Sequence, residues 1–183
     1  MAALLIIMVT TASTSPAFDG QRSGFILGLE LGPSFNSYTQ NGGSRESEPG
    51  LATIFRLGGG FNEQSMLYFT ANVNWLGVDT GLGGTTTMAS SVVGVGYSYY
   101  LKNQTPSFFF NAGLGYSSWR APFDSDIISH TGFGGIIGAG YELNRHLVLE
   151  LNLTMGSTEN KDGGFTTSSD ALGVQLTIGY IAY

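Results

Sequence analysis

The sequence predicts an all-β fold: an eight-stranded, antiparallel, up-and-down β-barrel that crosses a membrane. Three observations predict it. Eight segments carry large apolar residues at every second position, the period of a strand with one apolar face. The connections between them alternate long and short. Charge is scarce, and where it enters a predicted strand it sits on the parity opposite the large apolar residues.

The period is clearest in LVLELNLTM, where Leu147, Leu149, Leu151, Leu153 and Met155 share one parity. Along the chain, the first strand is expected over 23–35, with Phe25, Leu27, Leu29, Leu31 and Phe35 on its apolar side. The second spans 50–61 (Leu51, Phe55, Leu57, Phe61) and the third 66–78 (Leu67, Phe69, Val73, Trp75). The fourth covers 87–101 (Val93, Val95, Tyr97, Tyr99, Leu101). The fifth runs over 108–119 (Phe108, Phe110, Leu114, Tyr116) and the sixth over 132–143 (Phe133, Ile137, Tyr141, Leu143). The seventh is 147–155, and the eighth covers 171–183 (Leu172, Val174, Leu176, Ile178, Tyr180). No convincing amphipathic helix interrupts them. SYTQNGGSRESEP, DTGLGGTTT, RAPFDSDIISHT and GSTENKDGGFTT follow the odd strands; NEQS, KNQTPS and NRH follow the even ones. The molecule therefore has two unlike ends.

Composition decides which face meets what. Only 11% of residues are charged, against roughly 25% in soluble domains. Seven Lys or Arg and thirteen Asp or Glu fall almost entirely in loops, turns and strand tips. The four inside predicted strands are Glu30, Arg56, Glu142 and Glu150. A soluble barrel turns its charges outward, and four charges cannot solvate an exterior. They can form a polar network in a lumen, so the leucines face lipid. Of the 183 residues 28 are glycine, about twice the usual ~7%, and in the strands they fall mainly on the inward parity. That mixture suits the narrow interior of an eight-stranded barrel. Aromatics at strand ends, among them Phe35, Phe61, Trp75, Tyr99, Phe108, Tyr116, Phe133, Tyr141 and Tyr180, suit interfacial girdles.

The N-terminus reads AALLIIMV, then small residues, with Ser15 and Ala17 at the third and first positions before a cleavage point. Residues 1–17 are expected to be a secretory signal peptide, truncated or continued upstream because no Lys or Arg precedes the apolar run. Residues 18–183 form the barrel. The chain has no cysteine, which excludes a disulfide framework. The lack of a basic patch, with a net charge of −6, excludes nucleic acid as a partner.

GFGGIIGAGYELNRHLVLELNLTMG, residues 132–156, resembles the penultimate hairpin of the small outer-membrane β-barrel family that includes the OmpA and OmpX type barrels. GFILGLELGPSFNSY, residues 24–38, is similar to that family's first strand. The resemblance implies a place in the cell outer membrane, among its lipid and lipopolysaccharide, and insertion by the barrel-assembly machinery. It also implies a monomer with no cofactor and a non-enzymatic structural or surface-interaction role through the long loops. Family members commonly end on an aromatic in phase with the apolar positions. Tyr183 is out of phase with Leu176, Ile178 and Tyr180, so either a bulge shifts the phase or Tyr180 serves instead.

Two other functions suit a small barrel. A lipid A-modifying enzyme would need a nucleophile and base, and His130 and His146 are the only histidines. Ser129 and His130 are adjacent, hence on opposite faces of a strand, and Gly132 stands where a lipid A deacylase family's His-x-Ser pattern has Ser. A narrow conduit for small or apolar molecules would use the lumen charges as a gate. Two isolated histidines make no metal site, and the loop carboxylates Asp124, Asp126, Glu159 and Asp162 read as solvated charge. Glu30, Arg56, Glu142 and Glu150 read as a buried charge network. Three acids against one base leave an excess, met by a protonated Glu or by Arg120 reaching inward. A first loop symmetric about Gly43 would place Glu30 directly opposite Arg56.

Overall fold

The computed structural model describes residues 21–40, 42–79, 84–123, 129–162 and 165–183, with the side chains of 161–165 excepted. The expected signal segment, Asp124 and Asp126, and the side chain of Asp162 lie outside the described residues.

Eight strands follow in chain order: β1 (Gly24–Gln40), β2 (Arg45–Asn62), β3 (Ser65–Asp79), β4 (Thr85–Tyr100), β5 (Ser107–Arg120), β6 (His130–Glu142), β7 (Leu147–Asp162) and β8 (Phe165–Ala182). Each pairs antiparallel with its neighbour, and β1 pairs with β8, closing the barrel. Closure satisfies every strand edge, which a lipid-facing sheet requires.

The strands outrun the expected ones at the end opposite the termini. β1 continues to Gln40, β2 begins at Arg45, and β7 and β8 meet at Asp162 and Phe165. A strand of 17 residues at ~3.3 Å per residue is about 56 Å long. Tilted by about 40°, it reaches roughly 43 Å along the barrel axis, against an apolar band of about 25 Å. The excess is mostly polar on its outward face, so it lacks the alternation that marks a lipid-embedded strand.

Alternation is regular along most of the band and is interrupted on β4, where Ala89 and Ser91 are buried beside Met88 and Val92. Along β1 every even residue from Ile26 to Tyr38 is buried, while Phe25, Leu27, Leu29, Leu31 and Phe35 are exposed. Leu149, Leu151 and Met155 on β7 and Val174, Leu176, Ile178 and Tyr180 on β8 likewise face outward. The last strand keeps this phase to its end, so no bulge rephases it: Tyr180 is on the outside and Tyr183 is buried inside.

The β1–β2 register departs from expectation by two residues. Arg56 lies opposite Gly28, and Glu30 lies opposite Ile54. The hairpin is centred on Gly42, whose φ of 68° is a left-handed conformation that glycine adopts without penalty. The Gly43 N–H closes the turn by donating to the Gln40 carbonyl at 2.8 Å.

Apolar side chains fill the interior at both ends. Near the termini, Ile26, Met66, Tyr68, Tyr100, Phe109, Val148, Ile181 and Tyr183 form one cluster. At the other end Tyr38, Leu76, Met88, Trp119 and Ala121 form a second. Between them lies a polar layer.

Candidate functional site

The polar layer is built on one arginine. Arg56 projects inward from β2, and its Nη1 and Nη2 donate to the two oxygens of Glu150 on β7, each at 2.5 Å. The fork of the guanidinium matches the carboxylate, the strongest geometry available to such a pair. Arg56 Nη1 also lies 3.0 Å from Glu30 Oε1 on β1. The guanidinium sits 5.1 Å from the centroid of the Tyr68 ring, and Tyr68 Oη is 2.7 Å from Ser98 Oγ.

Neutral donors complete the carboxylates. Asn111 and Asn152 each donate to Glu150 Oε2 at 3.0 Å, and Thr177 donates to Glu30 Oε2 at 2.8 Å. Above them, Gln175 donates to Asn74 Oδ1 at 2.9 Å, and Asn74 donates to Thr154 Oγ1 at 3.1 Å. Glycines make the room. A β-carbon at Gly179 would overlap Glu30, one at Gly138 would overlap Asn152, and one at Gly96 would overlap the Tyr68 ring.

Glu142 is held elsewhere. It forms an ion pair with Arg22, which enters the lumen from the residues preceding β1. Arg22 Nη1 donates to the carbonyls of Glu63 at 2.6 Å and Lys102 at 2.9 Å, in two different turns. Its guanidinium lies 4.2 Å from the Tyr100 ring centroid. Tyr183 donates to Glu142 Oε1 at 2.8 Å, so the residues flanking β1 and β8 meet on one carboxylate.

The four charged residues singled out from sequence therefore divide into two clusters, Glu30–Arg56–Glu150 and Glu142–Arg22. Arg120, expected as an alternative source of positive charge, is exposed at the end of β5. Arg22 takes that place. Its signal was its even number: it continues the inward parity of Gly24, Ile26, Gly28 and Glu30 across the start of β1.

Little free space adjoins the arginine. An internal void of about 10 Å³ is lined by Arg56, Tyr68, Thr70, Asn72, Gly96 and Asn111, among others. That is room for roughly one water. Arg56 Nε and Asn72 Oδ1 make no hydrogen bond to protein, and both residues line this void.

The histidines stand apart. His130 opens β6 beside Trp119, buried and facing inward, while Ser129 is exposed. His146 belongs to the β6–β7 turn, where its ring stacks on Tyr180 at 5.1 Å and its Nδ1 lies 3.0 Å from the Ile181 carbonyl. Among the described residues, no group of three His, Asp or Glu side chains gathers at metal-binding distance.

No protein-family model matches the chain, and no curated protein matches it in sequence. Solved structures match its fold. Outer membrane protein OprG of Pseudomonas aeruginosa aligns with a TM-score of 0.51 at 15% identity, over 90% of this chain and 99% of that one. Neisserial surface protein A aligns with a TM-score of 0.58 at 13% identity, over 87% of this chain and 97% of that one. A closed barrel with leucines outside and paired charges inside is a lipid-embedded barrel, and the chain has the fold of the small eight-stranded outer-membrane β-barrels of the OmpA/OmpX type.

Proposed function

We propose that the protein is a non-enzymatic, monomeric outer-membrane barrel whose membrane-crossing part is a filled, rigid scaffold. Its work is done by the polar hairpins that extend past the apolar band, and these face the cell exterior. The observation that carries this reading is the contrast between lumen and hairpins. The lumen is packed around its charges, and the void beside Arg56 has space for roughly one water, whereas the β1–β2 and β7–β8 hairpins continue beyond the lipid as a polar crown. Glu46, Glu48, Asp79 and Asp170 give that crown an acidic character, balanced in part by Arg45 and Arg120. A structural or surface-interaction role uses such a crown; a conduit would use the lumen. Insertion by the barrel-assembly machinery fits Tyr180 as the lipid-facing aromatic near the C-terminus.

The native chain has no cysteine, which makes the test clean. Ser47→Cys, exposed on the first long hairpin, and Gln104→Cys, exposed in a short turn, are treated on intact cells with a membrane-impermeant maleimide. Labelling of Ser47→Cys alone is expected, and labelling of Gln104→Cys alone would reverse the orientation. Purified protein in planar bilayers is expected to show no stepwise conductance; steps would return the lumen charges to a gating role.

A further inference from the structure

The outer wall carries one surface that neither the lumen nor the crown explains. An open groove of about 520 Å³ crosses it, lined by Leu114, Phe133, Gly135, Met155, Leu172 and Arg45, with Ser157 and Asp170 between the apolar part and the arginine. Its floor is made of small residues: Gly134 and Gly135 on β6, Gly156 and Ser157 on β7, and Ala171 on β8. Phe133 at 84% and Leu114 at 78% exposed stand out from the wall beside it. Gly135 is unusual here, a glycine on the lipid-facing parity, where its neighbours in register are Leu114 and Met155.

The groove has a direction. On β5, Leu114 lies inside the apolar stretch, below Tyr116. On β7 and β8 the outward residues change from Met155 to Ser157 and from Leu172 to Asp170, which marks the lipid interface. On β2, Arg45 lies beyond Leu51, past Pro49 and Ser47, at the level of polar headgroups. The register links these points strand by strand, from Leu114 through Gly135, Met155 and Leu172, and from Asp170 through Thr39 to Arg45. Five interstrand steps of about 4.8 Å make roughly 24 Å, long enough for an extended acyl chain and the headgroup above it. Among the described residues, neither Arg45 nor Asp170 is in an ion pair.

We infer that this groove is a binding site for lipopolysaccharide of the surrounding leaflet. One lipid A acyl chain lies over Gly135 between Leu114, Phe133, Met155 and Leu172. A lipid A phosphate meets Arg45, and hydroxyl or amide donors of its sugar meet Asp170. A cation beside a carboxylate at the polar end asks for a headgroup with both an anion and neutral donors, and a phosphorylated acylated amino sugar has both. The site rests on the proposed orientation, because only with the hairpins outward does Arg45 stand at the outer leaflet.

Filling the groove is sterically simple. A β-carbon at Gly135 meets its nearest atoms, Leu114 Cδ2 and the Gly113 carbonyl oxygen, at 3.6 and 3.7 Å, which is ordinary contact. Gly135→Leu therefore starts a side chain into the acyl path from a β-carbon that makes only ordinary contacts with the barrel. Refolded protein is incubated with bisphosphorylated hexa-acyl lipid A or with phosphatidylethanolamine, and retained lipid is measured by native mass spectrometry. Heat-modified gel mobility verifies that each variant is folded. The wild type is expected to retain one lipid A in preference to phosphatidylethanolamine, and Gly135→Leu and Arg45→Ala are each expected to weaken retention about tenfold. Equal retention of the two lipids, or undiminished lipid A binding by folded Gly135→Leu, would overturn the assignment. The maleimide experiment on Ser47→Cys reads orientation separately, so failure of the groove and failure of the topology are told apart.

Discussion

Arg56 is the residue on which the polar layer depends, and its replacement by Met is expected to cost far more than the loss of Glu30. The layer holds one guanidinium and two carboxylates, all nearly inaccessible to solvent. Arg56→Met leaves Glu30 and Glu150 buried together with no cation. Breaking a buried pair from one side costs about 3–5 kcal/mol, because the surviving charge stays desolvated. Two surviving like charges put this variant at the upper part of that range. Glu30→Gln differs in sign of effect on the layer: Arg56 keeps both hydrogen bonds to Glu150, and the layer moves to charge balance. Its cost should be no more than ~1–2 kcal/mol, the worth of a hydrogen bond to a charged group. In the double variant only Glu150 remains charged, so the two costs should not add, and a coupling of roughly 1–3 kcal/mol is expected. Equilibrium urea unfolding in lipid vesicles, followed by fluorescence of Trp75 and Trp119, measures all three variants. Equal cost for Arg56→Met and Glu30→Gln with zero coupling would refute the reasoning and remove Arg56 from the centre of the layer.

Three further outcomes follow from the same geometry. Leu151→Arg places a charge on the lipid face and should cost ~2–4 kcal/mol and lower the folded yield on heat-modified gels, whereas the isosteric Leu151→Met should be neutral; equal yields would mean the faces are inverted. Arg22→Ala leaves Glu142 buried without its cation and should lower stability by about 3–5 kcal/mol, while Arg120→Ala should stay within about 0.5 kcal/mol; urea midpoints that do not separate the two would place Arg22 outside the lumen. Gly96→Ala should cost about 1–3 kcal/mol by overlapping the Tyr68 ring, and Tyr68→Leu should recover most of that cost in the double variant; additive unfolding costs would show that the two do not touch.

Arg22 and the first hairpin show where sequence reasoning stops. Arg22 lies on the inward parity, yet it precedes the first glycine of β1 in a stretch with no strand signal, so its number alone did not place it. What places it is the closed end of the barrel, where Glu142, Tyr100 and the carbonyls of two turns surround one guanidinium. The hairpin register differs by two residues from a turn symmetric about Gly43 because a Ser-, Thr- and Glu-rich strand beyond the lipid carries no alternation to count. Only the left-handed turn at Gly42 and continued backbone pairing determine it.

Strand number, barrel class, and the assignment of inner and outer faces were legible in the sequence alone. A lipid-embedded wall enforces the two-residue period on every strand, and each strand writes that constraint into its own residues. Which charges meet was not legible. Glu30, Arg56 and Glu150 share a parity with Glu142, but parity says only that they point inward. Their partnership depends on strand stagger and on closure of β1 against β8, which bring Arg56 on β2 to Glu150 on β7 across the lumen. The lipid-facing groove is of the same kind. Gly135 becomes informative only when closure brings β6, β7 and β8 into line with Arg45, because a site assembled from five strands exists in the hydrogen-bonded sheet and in no single segment.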